Sequence, residues 1–166
     1  MRGTSSWPLA KARQLRMHVT ARVSRAERRE LEAWLRPEEL SLFDAQHVAD
    51  RRHGLDVVAA LRRSGVRDRD VLVAGLLHDC GKGGTGALPR IAWSLGEVFG
   101  PWVTALARRV PGWEGALDRL ATHAETSARL LARAGLPAFA VDLVRYQAEP
   151  RDERYGRLLH AADEAC

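Results

Sequence analysis

The stretch 71–84, VLVAGLLHDCGKGG, is the segment around which we expect the rest of the chain to be organised. Its first seven residues, 71–77, are an apolar run that predicts an element buried on most of its sides. His78 and Asp79 follow directly, and Gly81 ends the run. A buried charge is costly unless it is paired or bound to a metal. The His-Asp pair is therefore the first candidate for chemistry, although such a dipeptide alone also arises by chance.

Length and composition indicate one globular domain. The chain has 166 residues, of which 46% are hydrophobic and 28% charged, and this is enough to form a hydrophobic core. Its longest apolar run is far too short to cross a bilayer, so we expect no membrane partner. The N-terminus lacks the pattern of a secretory signal, and Cys80 and Cys166 are too few for a disulfide framework. We therefore expect a cytoplasmic protein.

The charge of the chain favours anionic partners. The net charge is +5 and the sequence pI is about 10.0, which suits nucleotides, phosphate esters or nucleic acid. The basic residues are 24 arginines and only two lysines, Lys11 and Lys82. Because the compact ammonium of lysine contacts a phosphate differently from the arginine fork, Lys82 in its glycine-rich turn is a candidate phosphate contact. The alternative is a lysine on a solvated loop.

Helix signals follow one another along most of the chain. Ser24-Arg25-Ala26-Glu27 is a capping box, and Pro37 ends that helix and opens the next turn. A long helix is predicted from Asp44 or Ala45 to Ser64, and Asp68 can cap the central stretch. Further helices are predicted over 88–99, 102–109, 113–120, 123–134 and 137–146, with a last one capped by Asp152. No strand-like alternation of useful length occurs, so the predicted fold class is all-α.

We expect the helical domain to span residues 43–166. Residues 1–42 are then a basic N-terminal extension with the leading helices. Within residues 1–23, a pattern of Leu9, Leu15 and Val19 indicates only a loose helix. This arginine-rich segment could bind nucleic acid, but the arginines after Glu27 are scattered among acids. Nucleic acid is therefore expected as an accessory partner at most.

Four of the predicted helices each carry a candidate metal ligand. In chain order these are His53, His78 with Asp79, His123, and Asp163. If His78 and Asp79 lie off the end of their helix, both can share one ion with His53 and Asp163. Imidazole nitrogen and carboxylate oxygen suit Mn, Fe, Co, Ni, Mg or Zn. Fewer than six protein ligands leave room for water, which a divalent metal acidifies so that it can attack phosphorus.

The order His53, His78-Asp79, Asp163 resembles the H…HD…D signature of the HD superfamily of metal-dependent phosphohydrolases. The flanking residues are also similar to segments of small bacterial HD-domain proteins. These segments are Asp50-Arg51-Arg52-His53, Leu76-Leu77-His78-Asp79-Cys80-Gly81-Lys82, His123-Ala124-Glu125-Thr126 with Gly135-Leu136-Pro137, and Ala161-Ala162-Asp163. The resemblance covers roughly residues 43–163 and implies a single HD-domain helical bundle.

The resemblance implies metal ligands at His53, His78, Asp79 and Asp163. It also implies catalytic roles for Asp79, for Lys82, which matches a lysine that can hold substrate phosphate, and for His123. His123 matches a histidine that binds a second metal or contacts substrate in two-metal members such as HD-GYP phosphodiesterases. Those members have a further histidine where Gln147 stands here, and their GYP triplet is missing. We therefore expect one divalent metal and leave a second one open.

The expected function is hydrolysis of a nucleotide or another small phosphate ester by metal-activated water. The alternative is an HD-domain nucleotide-binding or signalling module with weak or no catalysis. Gln147 and the small size of the chain, with no expected partner domain, favour this alternative. Asp50, one turn before His53, could hold the free ring nitrogen of that histidine or lie in solvent. We expect Trp93, Trp102 and Trp113 to fill core. The substrate and the oligomeric state stay open.

Overall fold

Residues 21–166, which are described in a computed structural model, form helices joined by short turns. They contain no strand, which confirms the all-α fold class. The predictions for residues 1–20, including the loose helix around Leu9, Leu15 and Val19, lie outside the described residues. The helices are α1 (Arg25–Glu32), α2 (Pro37–Ala45), α3 (Val48–Arg63), α4 (Arg69–Leu77), α5 (Ala87–Phe99), α6 (Pro101–Ala107), α7 (Glu114–Ala121), α8 (His123–Arg133), α9 (Ala138–Arg145) and α10 (Tyr155–Ala165), with a 3-10 turn, Cys80–Lys82, after α4.

Helix α4 is the centre of the main core. All of its residues from Val71 to Leu77 are buried, as the apolar run predicts. A helix that is apolar all round is stable only when neighbours cover every face, and here α2, α3, α8 and α9 pack against it. Leu31 from α1 and Leu35 from the turn after it share this core with Phe43. The domain boundary between residues 42 and 43 stays a prediction.

Two glycines allow α3 and α4 to approach closely. A Cβ atom on Gly54 of α3 would lie 2.3 Å from the carbonyl oxygen of Leu76. A Cβ atom on Gly75 of α4 would lie 2.6 Å from a methyl carbon of Leu61. The backbone contact at Gly54 leaves no room for a Cβ atom, so only glycine fits there, whereas a Cβ atom on Gly75 would require the flexible end of the Leu61 side chain to shift. Because His53 precedes Gly54 and His78 follows Leu77, this contact brings the two imidazoles to the same end of the helix pair.

The predicted helix caps are formed, with one difference in a helix start. Ser24 and Glu27 make the reciprocal capping box, Asp68 accepts hydrogen bonds from the first backbone amides of α4, and Asp152 accepts from three amides before and within α10. The long helix α3, however, begins at Val48 rather than at residue 44 or 45. Gln46 and His47 are extended, and the His47 Nδ1 accepts a hydrogen bond from Ala49. An imidazole acting as the cap explains the later start.

A second, smaller core lies under α5, α6 and α7. Ala107, Leu117 and Leu120 are buried there, and Trp93 and Trp113 pack against them as predicted. Trp102, in contrast, is 64% exposed, so the prediction that it fills core is wrong. Its indole nitrogen donates to the backbone oxygen of Phe99, which holds the ring outside the small core. None of the helices from residue 21 onward is long and apolar enough to cross a membrane.

Glu27, the acidic residue of the capping box, should make the fold less stable at acid pH. A hydrogen bond from Arg52, and then the bonds from Ser24, lower the pKa of Glu27 from 4.5 to about 2. Since the folded pKa is below the unfolded one, this stabilisation is complete above pH 4.5 and is lost as the pH falls towards 2. We expect Glu27→Gln to lower the free energy of unfolding by about 1 kcal/mol at pH 7, solvent screening limiting the effect.

Urea unfolding of both proteins from neutral to acid pH measures this difference, which should shrink below pH 4.5. Glu30→Gln is the matched control, because Glu30 is on the same helix and its side chain is 65% exposed. A Glu27→Gln difference that stays constant with pH would contradict the prediction.

Candidate metal centre

Three side chains from distant parts of the sequence meet at one end of the main core. His53 lies within α3, His78 follows the last residue of α4, and Asp163 lies near the end of α10. One carboxylate oxygen, Asp163 Oδ1, is 2.8 Å from His53 Nε2 and 3.3 Å from His78 Nε2. Ligand atoms of the three residues all lie within 4.8 Å of one another. This group, which includes three of the four predicted ligands, could hold a metal ion.

The backbone fixes the orientation of His78. Its Nδ1 donates a hydrogen bond of 2.9 Å to the carbonyl oxygen of Gly75, so Nε2 is the atom that faces Asp163. Nε2 is buried and makes no hydrogen bond of acceptable geometry. A buried nitrogen without a partner is costly, and a metal ion would satisfy it. Two imidazole nitrogens and a carboxylate oxygen form a donor set that suits several divalent ions, so the residues fit the predicted group.

Asp79 lies beside this group rather than within it. Its carboxylate is buried, and Oδ2 is 2.5 Å from the Lys82 ammonium and 3.6 Å from His78 Nε2. Its other oxygen, Oδ1, is 3.6 Å from His123 Nε2. The ion pair with Lys82 therefore engages the oxygen nearer to His78. The role of Asp79 as a fourth ligand stays a prediction.

The negative charges of Asp79 and Asp163 dominate the electrostatics of the site. Burial opposes a charge on His78, but Asp79 and Asp163 outweigh it and raise the pKa of His78 to about 9. Burial likewise favours the neutral form of Asp163, yet the hydrogen bond from His53 and the neighbouring His78 imidazole hold its pKa well below the usual range. The pKa of Asp79 is also lowered, because Lys82 and the neighbouring imidazoles outweigh its burial. The site therefore attracts cations.

Lys82 and His123 both lie next to Asp79, each beside a different carboxylate oxygen. Burial disfavours the Lys82 charge, but Asp79 more than compensates and raises the pKa of this lysine, so it stays an ammonium at neutral pH. The Lys82 side chain remains 23% exposed. His123 Nδ1 donates to the carbonyl oxygen of Leu120, which directs Nε2 towards Asp79. Burial lowers the pKa of His123, which favours a neutral imidazole.

Gly81 permits the approach of α8, which carries His123. A Cβ atom on Gly81 would lie 2.3 Å from the carbonyl oxygen of His123 and 2.7 Å from the backbone nitrogen of Ser127. The Gly81 amide donates a 2.8 Å hydrogen bond to the buried Ser127 hydroxyl. This contact holds the 3-10 turn, with Lys82, against α8. Ser127 was missed by sequence reasoning, because no local pattern distinguishes it from a surface serine.

Thr85, Arg90 and Arg119 organise the glycine-rich turn and were also missed. The Thr85 hydroxyl donates to the Lys82 carbonyl and accepts from Arg119 Nε, while Arg90 Nε donates to the Thr85 carbonyl. Arg90 also makes two hydrogen bonds to Asp50, at 2.6 and 2.7 Å. Asp50 is therefore buried and paired with Arg90, so neither predicted environment, the ring of His53 or solvent, is correct. The contacts of Arg119 with Thr85 and of Arg90 with Asp50 are long-range, so no sequence spacing predicts them.

The remaining candidate residues do not join the metal group. His160 Nδ1 donates to the backbone oxygen of Gln147. The side-chain amide of Gln147 is buried and makes no hydrogen bond. Burial raises the pKa of the Cys80 thiol to about 12, so a nucleophilic thiolate is disfavoured, and the residue packs in the main core.

Comparisons with known proteins add no relative to this description. No family model, no curated protein and no solved structure matches the chain. The resemblance to the HD superfamily therefore rests on the sequence segments quoted above.

The contact at Gly81 generates a stability prediction. We expect Gly81→Ala to lower the free energy of unfolding by about 2–3 kcal/mol, because the new methyl group would push the 3-10 turn away from α8. Urea denaturation measures the change. Gly84→Ala is the matched control in the same turn, since a Cβ there meets nothing within 4 Å, and should change stability by about 0.5 kcal/mol or less. Equal effects of the two substitutions would contradict the prediction.

The three-residue group generates a binding prediction. Isothermal titration of the metal-free protein with Mn²⁺, Co²⁺, Ni²⁺ or Zn²⁺ should show a bound ion. We expect His53→Ala, His78→Ala and Asp163→Ala each to weaken binding at least about 100-fold, because loss of a direct ligand exceeds the loss typical of residues behind the ligands. His160→Ala is the control, since His160 lies on the same helix as Asp163 but faces Gln147. Unchanged affinity in all three ligand variants would contradict the prediction.

Proposed function

We propose that this chain is a metal-dependent phosphohydrolase of the HD type that acts on a nucleotide or another small phosphate ester. The observation that carries the proposal is the convergence of His53, His78 and Asp163, with Asp79, Lys82 and His123 directly beside them. The basic character of the chain suits an anionic substrate. Cys80 and Cys166 are not joined by a disulfide, which is compatible with a reducing, cytoplasmic setting.

His53, His78 and Asp163 would hold the divalent ion, with Asp79 as the candidate fourth ligand. Such an ion supplies Lewis acidity towards a phosphoryl oxygen and lowers the pKa of water. The chain contributes the rest of the arrangement. The Gly75 carbonyl holds His78 in its orientation through Nδ1, and Asp163 is hydrogen-bonded to His53, so the donor atoms are positioned before an ion arrives.

Lys82 and Arg119 are the proposed contacts for substrate phosphate. Lys82 is held at one end of the glycine-rich turn by Asp79. Arg119 is hydrogen-bonded through Nε to Thr85 of the same turn, is exposed, and makes no ion pair within residues 21–166. Its guanidinium therefore has donors to spare for phosphate oxygens. Cations fixed in advance stabilise the charge that develops on those oxygens.

His123 is the proposed proton-handling residue. Its Nδ1 is occupied by the Leu120 carbonyl, so Nε2 is the atom that can accept or release a proton. A neutral imidazole close to a carboxylate and a phosphate contact is a suitable general base. Asp79 lies between His123 and His78 and thereby ties this residue to the metal group.

Metal-dependent turnover of a phosphate-ester panel tests the proposal. The panel combines nucleotides, a phosphomonoester and a phosphodiester with Mn, Fe, Co, Ni, Mg or Zn. We expect a chelator to abolish activity and Lys82→Met to lower kcat about 100-fold, as loss of a fixed charge at the reacting group typically does. Arg119→Gln should mainly raise KM, because it removes a contact to the bound phosphate.

Arg63→Met and His160→Ala are the controls for this assay. Arg63 is an exposed arginine at the end of α3, and His160 shares α10 with Asp163. Both should retain the activity of the unmodified chain. No turnover on any substrate, or turnover that survives His78→Ala and Asp79→Ala, would contradict the proposal.

A second candidate function is a nucleotide-binding or signalling module without catalysis. The buried amide of Gln147, which has no hydrogen bond of its own, favours it, since an amide is a poorer ligand than imidazole for a second transition metal. A protein that binds metal and a nucleotide tightly but releases no phosphate would support this function instead.

A further inference from the structure

Helices α5 and α6 expose an unusual amount of apolar surface. Eight large hydrophobic side chains there are 36–64% exposed. They are Leu88, Ile91, Leu95, Val98 and Phe99 on α5, and Trp102, Leu106 and Val110 on or just after α6. We call these eight residues the α5–α6 patch. It adjoins the smaller core, on which the opposite sides of the two helices pack.

The residues of α5 in this patch form one stripe. Leu88, Ile91, Leu95 and Val98 follow one another at intervals of three or four residues, and Phe99 comes four residues after Leu95. This spacing places all five on an arc about 100° wide, the width of a stripe that normally faces a core. The charged residues of α5 lie on other faces, because Arg90 binds Asp50 and Glu97 accepts from Trp93. At the end of the stripe, Trp102 is hydrogen-bonded to the backbone of Phe99, so the α6 part of the patch continues it.

The area of the patch matches half of a protein–protein interface. The exposed fractions add up to about four whole residues. Since a Phe or Trp side chain measures about 150–250 Å² and the aliphatic residues are smaller, the patch exposes on the order of 600–800 Å². A monomer seldom exposes a contiguous apolar patch beyond about 300–600 Å². A standard interface buries about 800 Å² on each partner. The area is thus what one chain contributes to a stable dimer.

From this match we infer that the α5–α6 patch is the interface of a homodimer, in which it packs against the same patch of a second copy around a twofold axis. A straight apolar stripe is self-complementary when two copies run antiparallel. The inference does not depend on the proposed enzymatic function.

A lipid surface fits the patch less well. A membrane-surface helix carries several basic residues that flank its apolar face. Here Arg90 and Arg108 are engaged by Asp50 and Asp118, which leaves Arg109 as the exposed basic residue beside the patch without an ion pair within residues 21–166.

Sedimentation equilibrium of the full chain, from about 1 to about 100 µM, tests the inference. We expect a mass twice the 18.4 kDa of one chain. Leu95→Glu and Leu106→Glu should each raise the dissociation constant at least about 100-fold, because each buries a charge at the centre of the interface. Since both residues are exposed in one chain, circular dichroism should show unchanged helix content.

Phe139→Glu is the matched control, because Phe139 is 45% exposed but lies on α9, outside the patch. It should leave the dimer intact. The mass of a single chain at every concentration, or a dimer that both patch variants leave unchanged, would overturn the inference. A monomer that floats with phosphatidylcholine–phosphatidylglycerol vesicles would overturn it in favour of a lipid surface.

Discussion

The structure depends on compensating two carboxylates, the buried Asp79 and the half-buried Asp163. Neither would stay ionised at the edge of a helical core without compensation. Asp163 meets the imidazoles of His53 and His78, and Asp79 meets Lys82. Each of these partners comes from a different helix or turn, or from the end of one. The site is therefore held together by charge balance as much as by apolar packing, and its low pKa values at both carboxylates express that balance.

Close backbone approach provides the geometry that this charge balance requires. Gly54 brings α3 against α4, and Gly81 brings the 3-10 turn against α8. Gly54 directly follows His53 and Gly81 directly precedes Lys82. The same backbone positions therefore fix both the helix packing and the geometry of the site. Away from these contacts, the turn that follows the HD pair relies on polar links through Thr85 and Arg90. Along residues 71–85, apolar packing thus holds α4, the Gly81 contact holds the 3-10 turn, and polar hydrogen bonds hold the turn that follows.

What the sequence could predict followed from local or periodic signals. The burial of α4, the capping residues Ser24, Asp68 and Asp152, and the grouping of His53, His78 and Asp163 are all confirmed. The later start of α3 could not be predicted, because its cap is the imidazole of His47 and histidine is not among the usual capping residues. The partner of Asp50 and the exposure of Trp102 could not be predicted, since both depend on how distant helices meet. Periodicity identifies an apolar face but does not say whether this chain or another molecule covers it.

The separation of His53 and Asp163 along the chain, 110 residues, has a consequence for biosynthesis. During translation, α3 and α4 are complete long before α10 leaves the ribosome. A nascent chain can therefore present both imidazoles while the carboxylate that joins them is still absent. Assembly of this group is therefore a late event, coupled to the docking of the last helix, and a chain shortened within α10 would keep most of its core yet lose the ability to gather these three side chains.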